Sequence, residues 1–506
     1  MNGKREYGDY QTPTYFAEKV CNYLKEYCQI KPSAIVEPTC GVGNFLKSSL
    51  SFNASEYYGI EINPDYCNAC KSTIRNDKVK IINSDFFAFS SRTLIKDKRQ
   101  ILIIGNPPWV TNSTLSVLNS DNLPLKVNFK GLKGIEAMTG AGNFDICEYI
   151  ILQLVNEYMD SNAVIAMLCK TSVARNVFKE LKRNYVKFSC CDILEFDAAK
   201  IFGINASACL LVIYLSENVA SSNVCNIYDF ENPEIIKSQF GYDDGKLYSN
   251  LNVHAEKFDG HCCFEWRQGV KHDCSKVMEL TKENGAFQNG QKETVQIESD
   301  IVFPLVKSSM FKTPIIHNFS KYVIVTQKKV REETGHLEFE LPKTWKYLND
   351  NIKMFENRKS SIYLGAPPFS MFGVGSYSYS KYKVGVSGFY KRPLFSVLYS
   401  DDEKPVMTDD TSYFICFENY DMAYVAMLLL NAEKVQDFLI SIAFLDAKRP
   451  YTKKVLERID FNKIVESLTI DELAKTERKL GLPHYITTHM YCDFKSSLGL
   501  GQLRFI

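Results

Sequence analysis

From residue 33 to about residue 215, short β-branched apolar runs alternate with longer stretches of mixed polarity. The runs are SAIVEP, YYGIEI, KVKIIN, QILIIGNPP, AVIAMLC, CDILEFD and ASACLLVIYL. Seven segments of this kind, separated by helix-length intervals, predict an α/β fold with a doubly wound, Rossmann-like sheet. Ligands of such sheets bind beyond the carboxyl ends of the strands, where the polar motifs of this chain fall. Thr14 to Tyr27 places Phe16, Val20, Leu24 and Tyr27 at helical spacing and predicts an amphipathic helix that opens the domain. Residues 110–143 are long and rich in Asn, Ser and Gly, which predicts a lid over the strand ends. At SENVASSN, Ser216 to Asn223, the strand rhythm stops. A catalytic domain over 1–220 and a mixed α+β domain over 221–506 are expected.

A length of 506 residues exceeds what one hydrophobic core usually organises, in agreement with two domains. The 60 Lys and Arg against 59 Asp and Glu leave a net charge of only +1, so any nucleic-acid surface must come from local clustering. The N-terminal stretch MNGKREYGDYQ lacks the apolar core of a secretory signal, and the longest clean apolar run, Met422 to Leu430, is too short to span a bilayer. A cytoplasmic protein with no membrane partner is expected. The 16 cysteines then read as free thiols. Cys67 and Cys70 form a lone CxxC with no second pair at zinc-finger spacing. His261, Cys262, Cys263, His272 and Cys274 are flanked by core-like aromatics. No metal site is expected from either group.

The first chemistry-bearing motif is Glu37-Pro38-Thr39-Cys40-Gly41-Val42-Gly43-Asn44-Phe45, where the first strand gives way to a helix. Its two glycines allow a ligand to approach the backbone closely. The second strand ends in Gly59-Ile60-Glu61-Ile62-Asn63, which puts a carboxylate where ribose hydroxyls are commonly gripped. The third ends in Ser84-Asp85-Phe86-Phe87, an acceptor for an adenine amino group beside rings that can pack on a purine. Acids at two successive strand ends after a glycine turn describe a nucleoside pocket. The fourth strand runs into Asn106-Pro107-Pro108-Trp109. Consecutive prolines hold the chain extended, so that their carbonyls and the Asn side chain can be aimed at one point. Trp109 would then present an exposed ring at the pocket rim, a stacking surface for a base.

With Tyr10-Gln11-Thr12-Pro13 ahead of EPTCGVGNF, GIEIN, SDFF and NPPW, the chain resembles the gamma-class N6-adenine DNA methyltransferases of restriction-modification systems. The resemblance is strong over residues 7–215; beyond them, FSMFGVGSYSYSKYKVGVSGFYKR and LDAKRPYTKK look like segments of longer members. It implies S-adenosyl-L-methionine as cofactor. Thr12 and Pro13 would hold its methionine end, and Glu37, Thr39, Gly41 and Gly43 would line its amino-acid and ribose portions. Glu61 would bind the ribose hydroxyls, Ile62 and Phe86 would flank the adenine, and Asp85 would accept from its amino group. Asn44 before Phe45 departs from the small residue that members often carry there.

The implied reaction transfers a methyl group to the exocyclic amino group of an adenine extruded from double-stranded DNA. The Asn106 side-chain oxygen and the Pro107 carbonyl would each accept one amino hydrogen, with Pro108 stiffening the turn. Trp109 and Phe202, in Ile201-Phe202-Gly203, would sandwich the base. The second domain would recognise the target sequence. Its candidate phosphate contacts are Lys328 to Arg331, Lys381 to Arg392 and Lys448 to Lys454. A separate cognate restriction endonuclease is a further expected partner. The alternatives are methylation of an RNA base or of a protein glutamine by the same motif, and a catalytically idle DNA-binding subunit.

Overall fold

A computed structural model describes residues 10–95, 100–110, 145–217, 219–251 and 258–501. The lid expected over 110–143 lies outside them apart from Val110. All seven expected strands form, as β1 (Ala34–Glu37), β2 (Glu56–Glu61), β3 (Val79–Asn83), β4 (Ile101–Gly105), β5 (Ala163–Lys170), β6 (Phe188–Asp197) and β7 (Ser207–Leu215). β1 and β4 are buried along their whole length, and β5 along all but its last residue. Continuous apolar runs of this kind suit strands covered on both faces. Three further strands, β8 (Val224–Asp229), β9 (Asn232–Asp243) and β10 (Lys246–Tyr248), complete one sheet in the order β10-β9-β8-β6-β7-β5-β4-β1-β2-β3.

The β1–β2, β2–β3, β1–β4 and β4–β5 pairs are parallel, while β7 runs antiparallel to both β5 and β6. The chain winds outward from β1 to β3 and then returns to the other side of β1 with β4. The carboxyl ends of β1 and β4 thus flank the point where the winding reverses, which is where such sheets leave a crevice. α1 (Thr14–Glu26) buries Phe16, Val20 and Leu24 at the expected spacing, with Ala17 and Cys21 beside them, whereas Tyr27, expected on the same face, follows the helix and is 51% exposed. α2 (Asn44–Ser49), α3 (Pro64–Thr73), α4 (Ile146–Tyr158), α5 (Thr171–Arg183) and α6 (Ala198–Phe202) follow strands. Asn63, Asp145 and Asp197 cap α3, α4 and α6 through their side chains.

The chain divides into two compact units, 1–250 and 251–506, so the boundary expected at 220 falls inside the first sheet. The described residues of the polar stretch 216–223 form a connection within this sheet and not a linker. Ser221 accepts from the Phe188 amide and donates to the Val186 carbonyl, and β8 then pairs in parallel with β6.

The second unit is mixed α+β, as expected. A five-stranded sheet has Tyr382–Ser387 between Ser396–Leu398 and Ser412–Phe417, and a six-stranded sheet includes Glu279–Glu283, Val302–Val306 and Lys321–Ile324. Met422 to Leu430, the longest apolar run, lies in the helix Tyr420–Asn431, and all of it but Met422 is buried. Among the described residues no helix is long and apolar enough to cross a membrane.

Candidate functional site

The carboxyl ends of β1, β2 and β4 are knitted together by short-range backbone geometry. Cys40 N–H donates to the Ile60 carbonyl at 2.8 Å, and Gly43 N–H to the Cys40 carbonyl at 2.8 Å. Gly41 (φ +52°) and Gly43 (φ +84°) are both left-handed. A Cβ on Gly43 would stand 2.3 Å from Cys70 Sγ, so this turn has room only for glycine. Gly105 backs onto the first motif, since a Cβ there would lie 3.5 Å from Glu37 Cγ.

Glu37 ends β1 fully buried and accepts from the Leu46 amide at 3.0 Å. Burial pushes its carboxyl well above the usual carboxylate range, and the Leu46 amide offsets only part of that. Glu61 accepts from the Gly41 amide through Oε2 and from the Asn63 amide through Oε1, both at 2.8 Å. The Asn83 side-chain amide bonds to the carbonyls of Glu61 and Ile62, which keeps the ends of β2 and β3 abreast. Ile62 is 49% exposed. Asp85 is exposed and caps a short turn through the Phe87 amide at 3.0 Å, while Phe86 is buried with its ring edge-on to Phe87.

The N-terminal segment joins these strand ends. The Thr12 carbonyl accepts from Asn44 Nδ2 at 2.8 Å, and Gln11 Oε1 from the Val42 amide at 3.3 Å. The Tyr10 carbonyl accepts from Asn106 Nδ2 at 2.8 Å. A carbonyl can only accept, so this bond fixes which way the Asn106 amide points. Its Oδ1 is buried and has no partner among the described residues, and the same holds for the hydroxyls of Thr12 and Thr39.

Trp109 departs from the exposed ring expected of it: it is 7% exposed, and its indole N–H donates to the Leu168 carbonyl at 3.3 Å. A ring joined to a turn can fold back over the neighbouring strand when a carbonyl there takes up its polar edge. Phe202, half-buried at the end of α6, meets Trp109 edge-on with centroids 5.5 Å apart at 69°. The two rings are neighbours as expected but touch one another, with no gap for a base between them. Tyr10 lies 6.4 Å from each. Phe16 and Phe196 also pack around Phe202.

Tyr10, Gln11 and Asn44 were not singled out from sequence as site residues, and neither were Lys170 and Asp145. Lys170 Nζ lies 2.7 Å from Asp145 Oδ2 and 3.4 Å from the Trp109 carbonyl. Tyr10 and Gln11 adjoin Thr12-Pro13, the one signal that could have found them.

In the second unit, Lys328, Lys329 and Arg331 are exposed, as are Lys391, Arg392 and Lys448. Lys383 is not available to phosphate. It is 1% exposed, and its ammonium donates to the carbonyls of Ser378, Ser380 and Val406 at 2.8–2.9 Å. A cleft of about 1080 Å³ in this unit is lined by Lys271, Lys307, Glu279, Asp273 and Asp410 among others. Its charges are largely paired with each other, as in Lys307 with Glu279 and Lys271 with Asp273, both at 2.8 Å.

The chain is 39% identical over 471 residues to the type II methyltransferase M.NspV of Nostoc sp., a match covering 90% of this chain and 96% of that relative. It is 25% identical over 156 residues to the type II methyltransferase M.CvrRI of Paramecium bursaria Chlorella virus XZ-6E, covering 31% and 35% of the two chains. Among solved structures it is similar to the type IIL restriction-modification enzyme MmeI in complex with DNA. The TM-score is 0.54 at 12% identity, covering 99% of this chain and 74% of that one, a likeness of fold. No family model matches the chain.

Proposed function

The chain belongs to the type II DNA methyltransferases of restriction-modification systems, and from that premise we propose that it methylates the exocyclic N6 of an adenine extruded from double-stranded DNA. The observation that carries this reading is Asn106: its amide nitrogen is held by Tyr10, and its buried oxygen has no partner among the described residues. An unpaired buried acceptor costs about 1–3 kcal/mol, a cost relieved when a donor arrives. An amino group offers two hydrogens, and the adjacent Pro107 carbonyl is the second acceptor. Both draw the nitrogen toward tetrahedral geometry and stabilise the positive charge that builds on it.

The cofactor is S-adenosyl-L-methionine, which supplies an electrophilic methyl group on a sulfonium. The residues at the strand ends fit it. The Thr12 and Thr39 hydroxyls are buried without partners among the described residues, as polar groups awaiting a ligand are. In this reading Thr12, Pro13, Glu37, Thr39 and the Gly41/Gly43 turn hold the amino-acid and ribose portions. Glu61 takes the ribose hydroxyls, with its carboxylate held at the end of β2 by the Gly41 and Asn63 amides. Asp85 accepts from the cofactor's adenine amino group, between Ile62 and Phe86.

Trp109 and Phe202 line the place of the target base, but a sandwich requires their edge contact to open. Phe202 is the ring that moves, because Trp109 is pinned through its indole N–H and Phe202 ends a five-residue helix followed by Gly203. The second unit, 251–506, recognises the target sequence. A separate endonuclease of the same specificity is the enzyme against which the modification protects.

Tritium from labelled cofactor should appear in N6-methyladenine when DNA, RNA and protein are offered together, and sequencing of modified bases should give the recognition site. Label in N4-methylcytosine, in RNA or in protein would overturn the reading.

A further inference from the structure

The register of β4 on β5 pairs Gly105 with Met167, so β5 runs three residues beyond the last strand residue before Asn106 and ends at Lys170. That overhang puts two attachments on the exit of the catalytic turn, and α4 adds a third. The Leu168 carbonyl takes the Trp109 indole N–H, and Lys170 Nζ lies 3.4 Å from the Trp109 carbonyl. One residue further on, the Val110 carbonyl accepts from the Ile146 amide at 2.9 Å. Only Lys170 brings a charge, and it is matched by Asp145, 2.7 Å away and 6% exposed. The other oxygen of Asp145 caps α4 through the Cys147 amide at 3.1 Å. The cap does not need a cation, and a surface lysine would not need a buried acid. We propose that Lys170 and Asp145 are a positioning pair for methyl transfer, holding the backbone of the Asn106–Trp109 turn from the end of β5 so that its two acceptors stay aimed at the amino group.

This inference rests on the role given above to Asn106 and Pro107. Its chemical signature follows from the surroundings of Asp145. Burial pushes its carboxyl up, and Lys170 is the group that chiefly holds it down. The other groups facing it are Cys147 and Glu148 on α4 and Cys169 on β5; Glu148 pushes its carboxyl up, and the Cys147 amide lowers it. Without Lys170 the Trp109 carbonyl loses its charged partner, and Asp145, buried and left with the Cys147 amide, takes up a proton at higher pH beside the turn.

The test measures single-turnover methylation by the full-length protein on a duplex carrying the site found by sequencing. It runs on Lys170→Met, Lys170→Arg, Asp145→Asn and the Lys170→Met/Asp145→Asn double variant, with cofactor affinity by calorimetry. Lys170→Met should slow transfer about 10- to 100-fold, the scale of a misplaced reacting group, with cofactor affinity within about 3-fold. Its rate–pH profile should gain a step that the wild type and the double variant lack, and Lys170→Arg should recover most of the rate. A wild-type rate in Lys170→Met, or a loss of cofactor affinity in proportion to rate, overturns the positioning role. If Lys170→Met does not fold, the same criteria apply to Asp145→Asn, whose amide keeps the helix cap. Retained activity in Asn106→Ala would overturn the underlying reading, whereas loss there with full activity in Lys170→Met overturns this inference alone.

Discussion

Asn106 has one donor group and one acceptor, and the fold uses them for different ends. The donor is bound to the Tyr10 carbonyl, and the acceptor stays free among the described residues. Asn106→Ala is therefore expected to slow methyl transfer by about 10²–10³ while cofactor affinity changes only a few-fold, as calorimetry beside a transfer assay would show. Asn106→Asp keeps an acceptor but sets a carboxylate against the Tyr10 carbonyl, so its rate should fall between wild type and Asn106→Ala. Gly43→Ala acts differently. It places a Cβ against Cys70 in a left-handed turn, and should cost about 1–3 kcal/mol in chemical denaturation together with cofactor affinity. A fall in rate with unchanged affinity in that variant would contradict the role given to the glycine turn.

At the scale of elements, the strands of the first unit follow from their composition, whereas the ends of helices depend on what other segments bring to them. The helix Pro342–Asp350 begins with proline, and Glu298, distant in sequence, accepts from the Lys343 and Thr344 amides and the Thr344 hydroxyl at 2.6–3.0 Å. Burial works against the charge on Glu298, but the Thr344 and Lys343 bonds outweigh it and hold its pKa at about 2. A carboxyl titrating lower in the folded state stabilises above its unfolded value of about 4.3 and loses that contribution as pH falls toward about 2. Glu298→Ala should cost about 1 kcal/mol at neutral pH, the usual size of a lost cap, and less at pH of about 3. Urea denaturation of both proteins at the two pH values checks this. An unchanged difference would mean that the bonds to the helix start contribute no pH-dependent stability.

For the molecule as a whole, the net charge of +1 leaves DNA attraction to local groups, and the exposed members of the basic clusters are the candidates. Lys391→Ala/Arg392→Ala should weaken DNA binding uniformly across sequences and lower the slope of log affinity against log salt by about 0.9 for each phosphate no longer neutralised. Fluorescence anisotropy over a salt series measures it. Lys383→Met should instead lower the melting temperature, because it strips the donor from three carbonyls, two of them fully buried. The sequence by itself determined what depends on local composition and spacing. It made the seven apolar runs strands of one sheet, put glycines and acids at strand ends, and stiffened Asn106-Pro107-Pro108 into a turn. The meeting of distant segments was decided only in three dimensions. Tyr10 orients Asn106, Lys170 reaches the Trp109 carbonyl while paired with Asp145, Trp109 turns inward, Lys383 disappears under carbonyls, and β8 rejoins β6 after a polar stretch. The physical reason is that backbone preference and hydrophobic period act over a few residues. The pairing of a buried polar atom, by contrast, depends on which remote groups the packed core brings within about 3 Å.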